Sequence, residues 1–314
     1  MSEVRAASRR PGGSGRVGRP GRRRRPLRVR LVPYVFLSPF FVLFALFFVY
    51  PVIYSIILSF QRWSANSVEW VGLDNYRFVV DQPAVRRAFV NLVWYGVVNN
   101  VVQISVALAL AVLLDQQVLR RVAGALRVVY FLPNVVSGVT TALLFGIILG
   151  AGGVADHLLS SVDLHVSWLQ STQWARPAVV AAGAWRWIGY WVVILTAGLQ
   201  AIPREYYEAA AVDGAGWWKR VRHVSLPSLR PILLFVIVVN TIGTMQIFEE
   251  PFLLFETPGG PLSAATTPVL EMYRLGFENF DLGGAAAIGW LLAIVIVVLT
   301  LGQMVLARRR EWIE

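Results

Sequence analysis

The chain has 314 residues, 56% of them hydrophobic and 15% charged, against about 25% charged in ordinary soluble domains, which excludes a soluble globular protein. Its formal net charge is +11, but the first 30 residues hold eleven arginines and one glutamate. The basic balance therefore belongs to a tail and not to a folded nucleic-acid-binding face, and the absence of cysteine removes disulfides, thiolate metal sites and cysteine nucleophiles.

Residues 1–30 read as an Arg-rich, disordered cytoplasmic tail, too poor in apolar groups to offset the entropy of ordering. Its expected partner is anionic membrane lipid, not nucleic acid. Leu31 to Phe60 then carries no charge at all, longer than the about 20 residues that cross a bilayer's hydrocarbon core. It is also longer than the apolar region of about 7–15 residues in a cleavable signal, so it reads as an uncleaved first span. Further apolar stretches place spans at about 33–58, 89–114, 128–150, 178–201, 231–255 and 283–307. The expectation is an all-α integral membrane protein with six transmembrane helices, residues 31–314 forming its transmembrane domain. Arg186 interrupts the fourth span and Glu249 and Glu250 the fifth.

Lys and Arg retained by the tail and by the segments after the second, fourth and sixth spans number 22, against six in the alternate segments. Positive segments stay cytoplasmic, so both termini are expected inside. Segments 61–87, 156–176 and 256–281 are then expected outside.

Enzymatic motifs are missing. The single lysine, Lys219, follows Trp217 and Trp218 and not the glycines of a phosphate loop. His157, His165 and His223 stand apart without partners at metal-ligand or triad spacing. No catalytic residue, metal or cofactor of the chain's own is expected.

The connection after the fourth span, IPREYYEAAAVDGAGWWKRVRHVSLPSLRP, carries the most information. Pro203 suits the first turn of a helix, and Glu205 and Glu208 suit its positive end. Ala209, Ala210 and Ala211 give a small, flat surface. Asp213 and Gly214 form a turn with Gly214 able to go left-handed, and a second short helix, 215–224, is expected to stop before Pro227. Two short helices at an angle make either a docking knob or an interfacial connection anchored by Trp217, Trp218, Lys219 and Arg220.

This segment resembles the EAA loop of permease subunits of binding-protein-dependent ABC importers: Glu-Ala-Ala, three residues, Gly, nine residues, Ile, one residue, Leu-Pro. Glu208, Ala209, Ala210, Gly214, Leu226 and Pro227 match, and Val224 stands where the pattern has isoleucine. Asp213-Gly214-Ala215 before Trp218 is similar to the carbohydrate branch, of maltose and glycerol-3-phosphate type, and to its first permease subunit. Phe248-Glu249-Glu250-Pro251 leading to Gly259-Gly260-Pro261 fits the same branch with a spacing two residues longer. Pro39, Tyr50-Pro51, Ser59, Gly72 to Tyr76, Tyr273, Phe277, Gly283, Ala285 and Ala287 also fit, so the resemblance covers about residues 33–307.

The resemblance implies the type I ABC importer permease fold in a prokaryotic inner or plasma membrane. It implies a second homologous permease, an extracytoplasmic solute-binding protein, and two separate ATPase subunits that carry ATP and Mg. Glu208, Ala209, Ala210, Asp213, Gly214, Ala215, Leu226 and Pro227 would couple to the ATPase, and Gly259, Gly260 and Pro261 would meet the binding protein. Because buried ionisable groups in a membrane mark function, and aromatic faces suit sugar rings, Arg186, Trp187, Tyr190, Asn240, Gln246, Glu249 and Glu250 are candidates for the solute path. Arg186 is also free to pair with Glu249 or Glu250 and hold helices. Asn99, Asn100, Gln103, Asn240 and Gln246 serve equally as cavity lining or as helix-to-helix hydrogen bonds. Two other classes stay open: an ion-coupled secondary transporter using Glu249 and Glu250, and an integral-membrane enzyme. The sugar is unspecified, and one arginine is too little to argue for a phosphorylated solute.

Overall fold

The computed structural model describes residues 27–63, 67–115 and 120–309, with side chains from Tyr34 onward except at 120–123 and 127. Of the tail expected over 1–30, residues 1–26 lie outside this description, and helix already begins at Leu27. The chain falls into two units, one ending at Ile53 and the other starting at Tyr54.

The first unit is helical: α1 (Leu27–Phe44), a π-helical turn and the start of α2 (Tyr50–Ser59). Its described side chains are all exposed. Phe40, Phe44 and Phe48 stack at four-residue spacing, with ring centroids 6.0 and 5.0 Å apart, as a helix surface places them.

The second unit takes the rest of α2 and then a hairpin, β1 (Gln61–Trp63) against β2 (Val68–Trp70), antiparallel with Gln61 opposite Trp70. The helices are α3 (Asp74–Asp81), α4 (Pro83–Asn99), α5 (Ser105–Leu114), α6 (Arg120–Val135), α7 (Gly138–Leu149), α8 (Val154–Ser160), α9 (Ala175–Gln200), α10 (Arg204–Val212), α11 (Trp217–Arg220), α12 (Leu226–Ser228), α13 (Arg230–Thr244), α14 (Glu249–Leu253), α15 (Pro268–Tyr273) and α16 (Leu282–Arg309). A π-helical turn, Asn100–Ile104, joins α4 to α5. Among the described residues six stretches are long and apolar enough to cross a membrane: Tyr34–Ser59, Pro83–Leu114, Gly138–Ser160, Ala175–Gln200, Arg230–Leu253 and Leu282–Arg309.

Two expected spans are interrupted. The third, 128–150, is two helices: Pro133 sits inside α6, the chain leaves helical geometry, and Ser137 caps α7 by accepting from the Thr140 amide at 3.2 Å. In the fifth, helix stops at Thr244 and restarts at Glu249, and Thr267 Oγ1 donates to the Ile247 carbonyl in the gap at 3.0 Å.

The core lies where α5, α9 and α13 meet: Ala107 and Ala111 face Trp191, Leu195 and Val236. A second contact holds the hairpin and α3 to α16. Asn75 Nδ2 donates to the carbonyls of Ser59 at 3.0 Å and Gln61 at 2.8 Å, and Ser59 Oγ is 2.8 Å from the Tyr76 hydroxyl. Gly283 packs against this cluster so closely that a Cβ would overlap the Gln61 carbonyl oxygen and crowd Asn75 Nδ2. Gly283→Ala is therefore expected to cost about 1–3 kcal/mol by thermal denaturation in detergent. Gly302→Ala, where a Cβ meets nothing within 4 Å, is expected to be neutral or stabilising by up to about 1 kcal/mol; equal losses at the two positions would contradict the packing account.

Candidate functional site

Two regions gather the residues singled out in the sequence. The first is the helix pair at 204–228. Pro203 caps α10 and is not its first helical residue. At the other end the Ala215 amide donates to the Ala210 carbonyl at 2.9 Å and the Gly214 amide to the Ala211 carbonyl at 3.0 Å, the paired bonds of a Schellman cap. That cap needs a left-handed residue, and Gly214 has φ +74°. A Cβ there would meet nothing within 4 Å, so the demand for glycine is one of backbone conformation and not of space.

The second helix of the pair begins at Trp217 and does not stop before Pro227. It widens into a π-helical turn, Val221–Ser225, and α12 follows directly with Pro227 in its first turn. Tyr207 and Ser225 join the two arms through their hydroxyls at 3.0 Å. The outer surface carries Glu205, Tyr206, Glu208, Ala209, Ala211, Val212, Asp213, Gly214, Trp217 and Trp218, all exposed. Ala210 and Ala215 are half-buried, and Leu226 and Pro227 are half-buried at the root.

The second region is a cavity of about 270 Å³ between α4, α9 and the end of α13. It is lined by Trp187, Tyr190, Trp191, Asn99, Gln103, Asn240, Thr244 and Glu250, with Val179, Gly183, Val239, Gly243 and Ile247 between them. Of the seven residues expected on a solute path, four line it: Trp187, Tyr190, Asn240 and Glu250. Trp191, Asn99, Gln103 and Thr244 complete its polar and aromatic wall. Trp191 escaped the sequence reading, although it follows Trp187 at the four-residue spacing that puts both on one helix face.

Arg186, Glu249 and Gln246 do not line the cavity. The Arg186 guanidinium lies 3.1 Å from Glu249 Oε2 and 3.8 Å from Glu250 Oε1, so it holds α9 to α14, and it also rests over the Trp187 ring at 5.5 Å. Glu249 and Glu250 sit in the first turn of α14, where the helix dipole favours negative charge. Gln246 is exposed in the gap between α13 and α14. Gly138, which no sequence signal marked, lies against the ion pair, and a Cβ there would collide with the Glu249 carboxylate and the Arg186 guanidinium.

The uncharged polar residues divide between lining and bonding. Trp191 Nε1 donates to Asn240 Oδ1 at 3.2 Å and Asn240 Nδ2 to Asn100 Oδ1 at 3.3 Å. Asn100 Nδ2 donates to Thr241 Oγ1 at 3.0 Å, which also accepts from Gln303 Nε2 at 2.9 Å. This network ties the π-helical turn at 100–104, α9, α13 and α16 together. Asn240 thus both lines and bonds, whereas Asn100 bonds.

The loop 256–267 is packed, not extended. Asn91 Nδ2 donates to the carbonyls of Ala264 at 3.0 Å and Thr266 at 2.9 Å, and Arg274 bonds the Pro258 carbonyl and Glu271. Gly259 and Gly260 are buried within it, where they shape the loop. Pro261 is half-buried, and Leu262, 81% exposed, forms the tip.

Known proteins resemble this chain in sequence and in fold. Residues 103–312 match the family described as binding-protein-dependent transport system inner membrane component. The lactose transport system permease protein LacF of Rhizobium radiobacter is 32% identical over 267 residues, covering 84% of this chain and 89% of that protein. The arabinooligosaccharides transport system permease protein AraP of Bacillus subtilis is 32% identical, covering 81% of each. The sn-glycerol-3-phosphate transport system permease protein UgpA of Pectobacterium atrosepticum is 29% identical over 84% of this chain and 89% of that one. A chain in the crystal structure of a bacterial ABC transporter that imports the acidic polysaccharide alginate has the same fold, with TM-score 0.80 over 90% of this chain and 97% of that chain at 24% identity. The ion-coupled carrier is thereby disfavoured, in keeping with a site where one arginine engages both carboxylates.

Arg186→Met leaves the Glu250 side chain, 5% exposed, without its cation and is expected to cost roughly 3 kcal/mol. Arg186→Met with Glu250→Gln should recover more than half of that. Thermal denaturation of both variants in detergent checks this, and equal melting of single and double variants would remove the ion pair from the account.

Proposed function

The chain belongs to the binding-protein-dependent transport system inner membrane components, and from that premise we propose that it forms half of the translocation pathway of an ATP-driven sugar importer. It is a multi-pass membrane permease. In the proposed assembly a second homologous permease supplies the other half, two ATPase subunits hold ATP and Mg, and an extracytoplasmic binding protein delivers the solute. The relatives named for lactose, arabinooligosaccharides and sn-glycerol 3-phosphate support a saccharide or related polyol. The Lys and Arg distribution supports cytoplasmic termini.

The observation that carries this reading is the glycine-closed helix pair at 204–228. Glu208, Ala209, Ala211, Val212 and Asp213 form an exposed ridge whose small side chains admit the backbone of a partner. The Schellman bonds fix the angle between the arms, and the Tyr207–Ser225 contact passes a push on α10 to the chain that enters α13. In this reading Ala210 and Ala215 shape the ridge, and Leu226 and Pro227 root it in the membrane body. ATP-driven closure of the ATPase pair shifts the permease only through contacts that differ between its two states, and the ridge is the element that would make them. Leu262 and its neighbours, on the opposite side by the charge distribution, are the proposed contact with the binding protein.

Gly214→Val places a β-branched residue at φ +74° and is expected to insert normally while lowering ATP-driven uptake at least about tenfold. Gly214→Asn tolerates the left-handed region and should stay near wild type. Co-expression with the neighbouring genes, pull-down in mild detergent and assays of ATP hydrolysis and uptake test both variants. A chain that purifies alone and takes up solute on an ion gradient would overturn the proposal.

A further inference from the structure

The loop 256–267 is fastened to one line of α4. Arg87, Asn91 and Tyr95 follow one another at the four-residue spacing that stacks side chains along a helix, and each donates to loop carbonyls. Arg87 bonds the Leu262 carbonyl, Asn91 those of Ala264 and Thr266, and Tyr95 that of Ala265 at 3.2 Å. The ladder grips backbone and not side chains, so it fixes the path of the loop while leaving Leu262 free to project.

That path needs fixing. Leu262 and Ser263 have φ +53° and +55°, two consecutive left-handed residues of which neither is glycine, and such residues persist only where their surroundings over-determine them. Asn91 and Tyr95 are the buried rungs. Arg87 is the exposed one, beside the strained pair, and it makes no ion pair among the described residues. Its neighbour Arg86 differs, being tied to Asp81 at 3.0 Å and to the Val80 carbonyl at 2.7 Å.

An exposed leucine alone is ordinary. One that is 81% exposed, held in a costly backbone conformation by a dedicated arginine, is a presented side chain. Arg86 and Asp81, close by in the chain, stay solvated with side chains 63% and 77% exposed, so the surroundings of the tip suit a protein surface and not lipid.

We propose that Arg87 is a positioning residue for docking: it presets the Leu262 tip in the shape that an apolar notch on the solute-binding protein receives. The proposal rests on the reading of the chain as an importer permease whose outer loop meets that protein.

The test uses the assembled complex, with its second permease and ATPase, in nanodiscs, and the purified binding protein encoded beside the chain. Interferometry gives the Kd of the binding protein, and ATP hydrolysis is read separately at saturating binding protein. Arg87→Met is expected to raise Kd about fivefold, because only a fraction of tips then stand in the receptive shape, with hydrolysis at saturation within about twofold of wild type. Arg87→Lys keeps a donor and should recover most of the affinity. Arg86→Met, which removes the same charge one residue earlier, should bind as the wild type does. Leu262→Ser should raise Kd about tenfold. Adding Arg87→Met to Leu262→Ser should then cost less than about twofold more, since a positioning residue acts through the tip.

Unchanged Kd in Arg87→Met or Leu262→Ser, an equal rise in Arg86→Met, no recovery in Arg87→Lys, or additive losses in the double variant overturns the proposal. Hydrolysis at saturation that falls as far as the affinity in Arg87→Met overturns it too. If the wild-type complex binds the protein and only the variants are silent, the importer reading stands and the role of Arg87 falls. If the wild-type complex does not bind it at all, the reading falls with the proposal.

Discussion

A hydrocarbon surrounding offers no hydrogen bonds, so every polar group on the spanning part of the chain must be satisfied by the chain itself. Most of the architecture follows from that. The long helices satisfy their backbone internally, and the places where helix gives way are closed by named side chains. Ser137 takes the Thr140 amide where α6 ends and α7 begins, and Thr267 donates to the Ile247 carbonyl between α13 and α14. The amides and hydroxyls of Asn100, Asn240, Thr241 and Gln303 bond to one another across helices. The cavity lies beside the gap between α13 and α14, with Ile247 and Glu250 in its wall.

The same constraint explains what could be read from the sequence. Apolar length gave the number and approximate places of the spans, because nothing else crosses a bilayer unbroken. The spacing from Glu208 to Pro227 gave the helix pair at 204–228, and the left-handed Gly214 follows from the turn chemistry of Asp-Gly. Helix interruptions were harder. Pro133 lies inside a helix that ends two residues after it, and only the cap at Ser137 shows that a new helix begins. Pro227 misled in the opposite direction, since a proline that also begins a helical turn does not end one.

Side-chain partners were the least legible part. Arg186 was open in the sequence to solute, from its aromatic neighbours, or to a pairing with Glu249 or Glu250, and only the structure decides for the pairing, across more than 60 positions of chain. Gly138 carried no signal because its role is an absence of atoms, visible only once the ion pair is in place. Asn75 and Gly283 were each marked by the resemblance, but their contact was not: together they hold α3 and the hairpin against α16. The glycines at 259 and 260, read from the sequence as a turn, are buried, Gly259 beside Leu270 and Thr266 and Gly260 beside Phe255.

The contact at Gly138 also has a kinematic meaning. The start of α7 sits under a salt bridge whose two halves belong to α9 and α14, and no side-chain cushion separates them. A sliding motion of α7 along α9 or α14 carries the Gly138 backbone past this charged pair. The cavity takes Trp187, Tyr190 and Trp191 from α9 and Glu250 from α14, so the glycine-seated ion pair braces one edge of its wall.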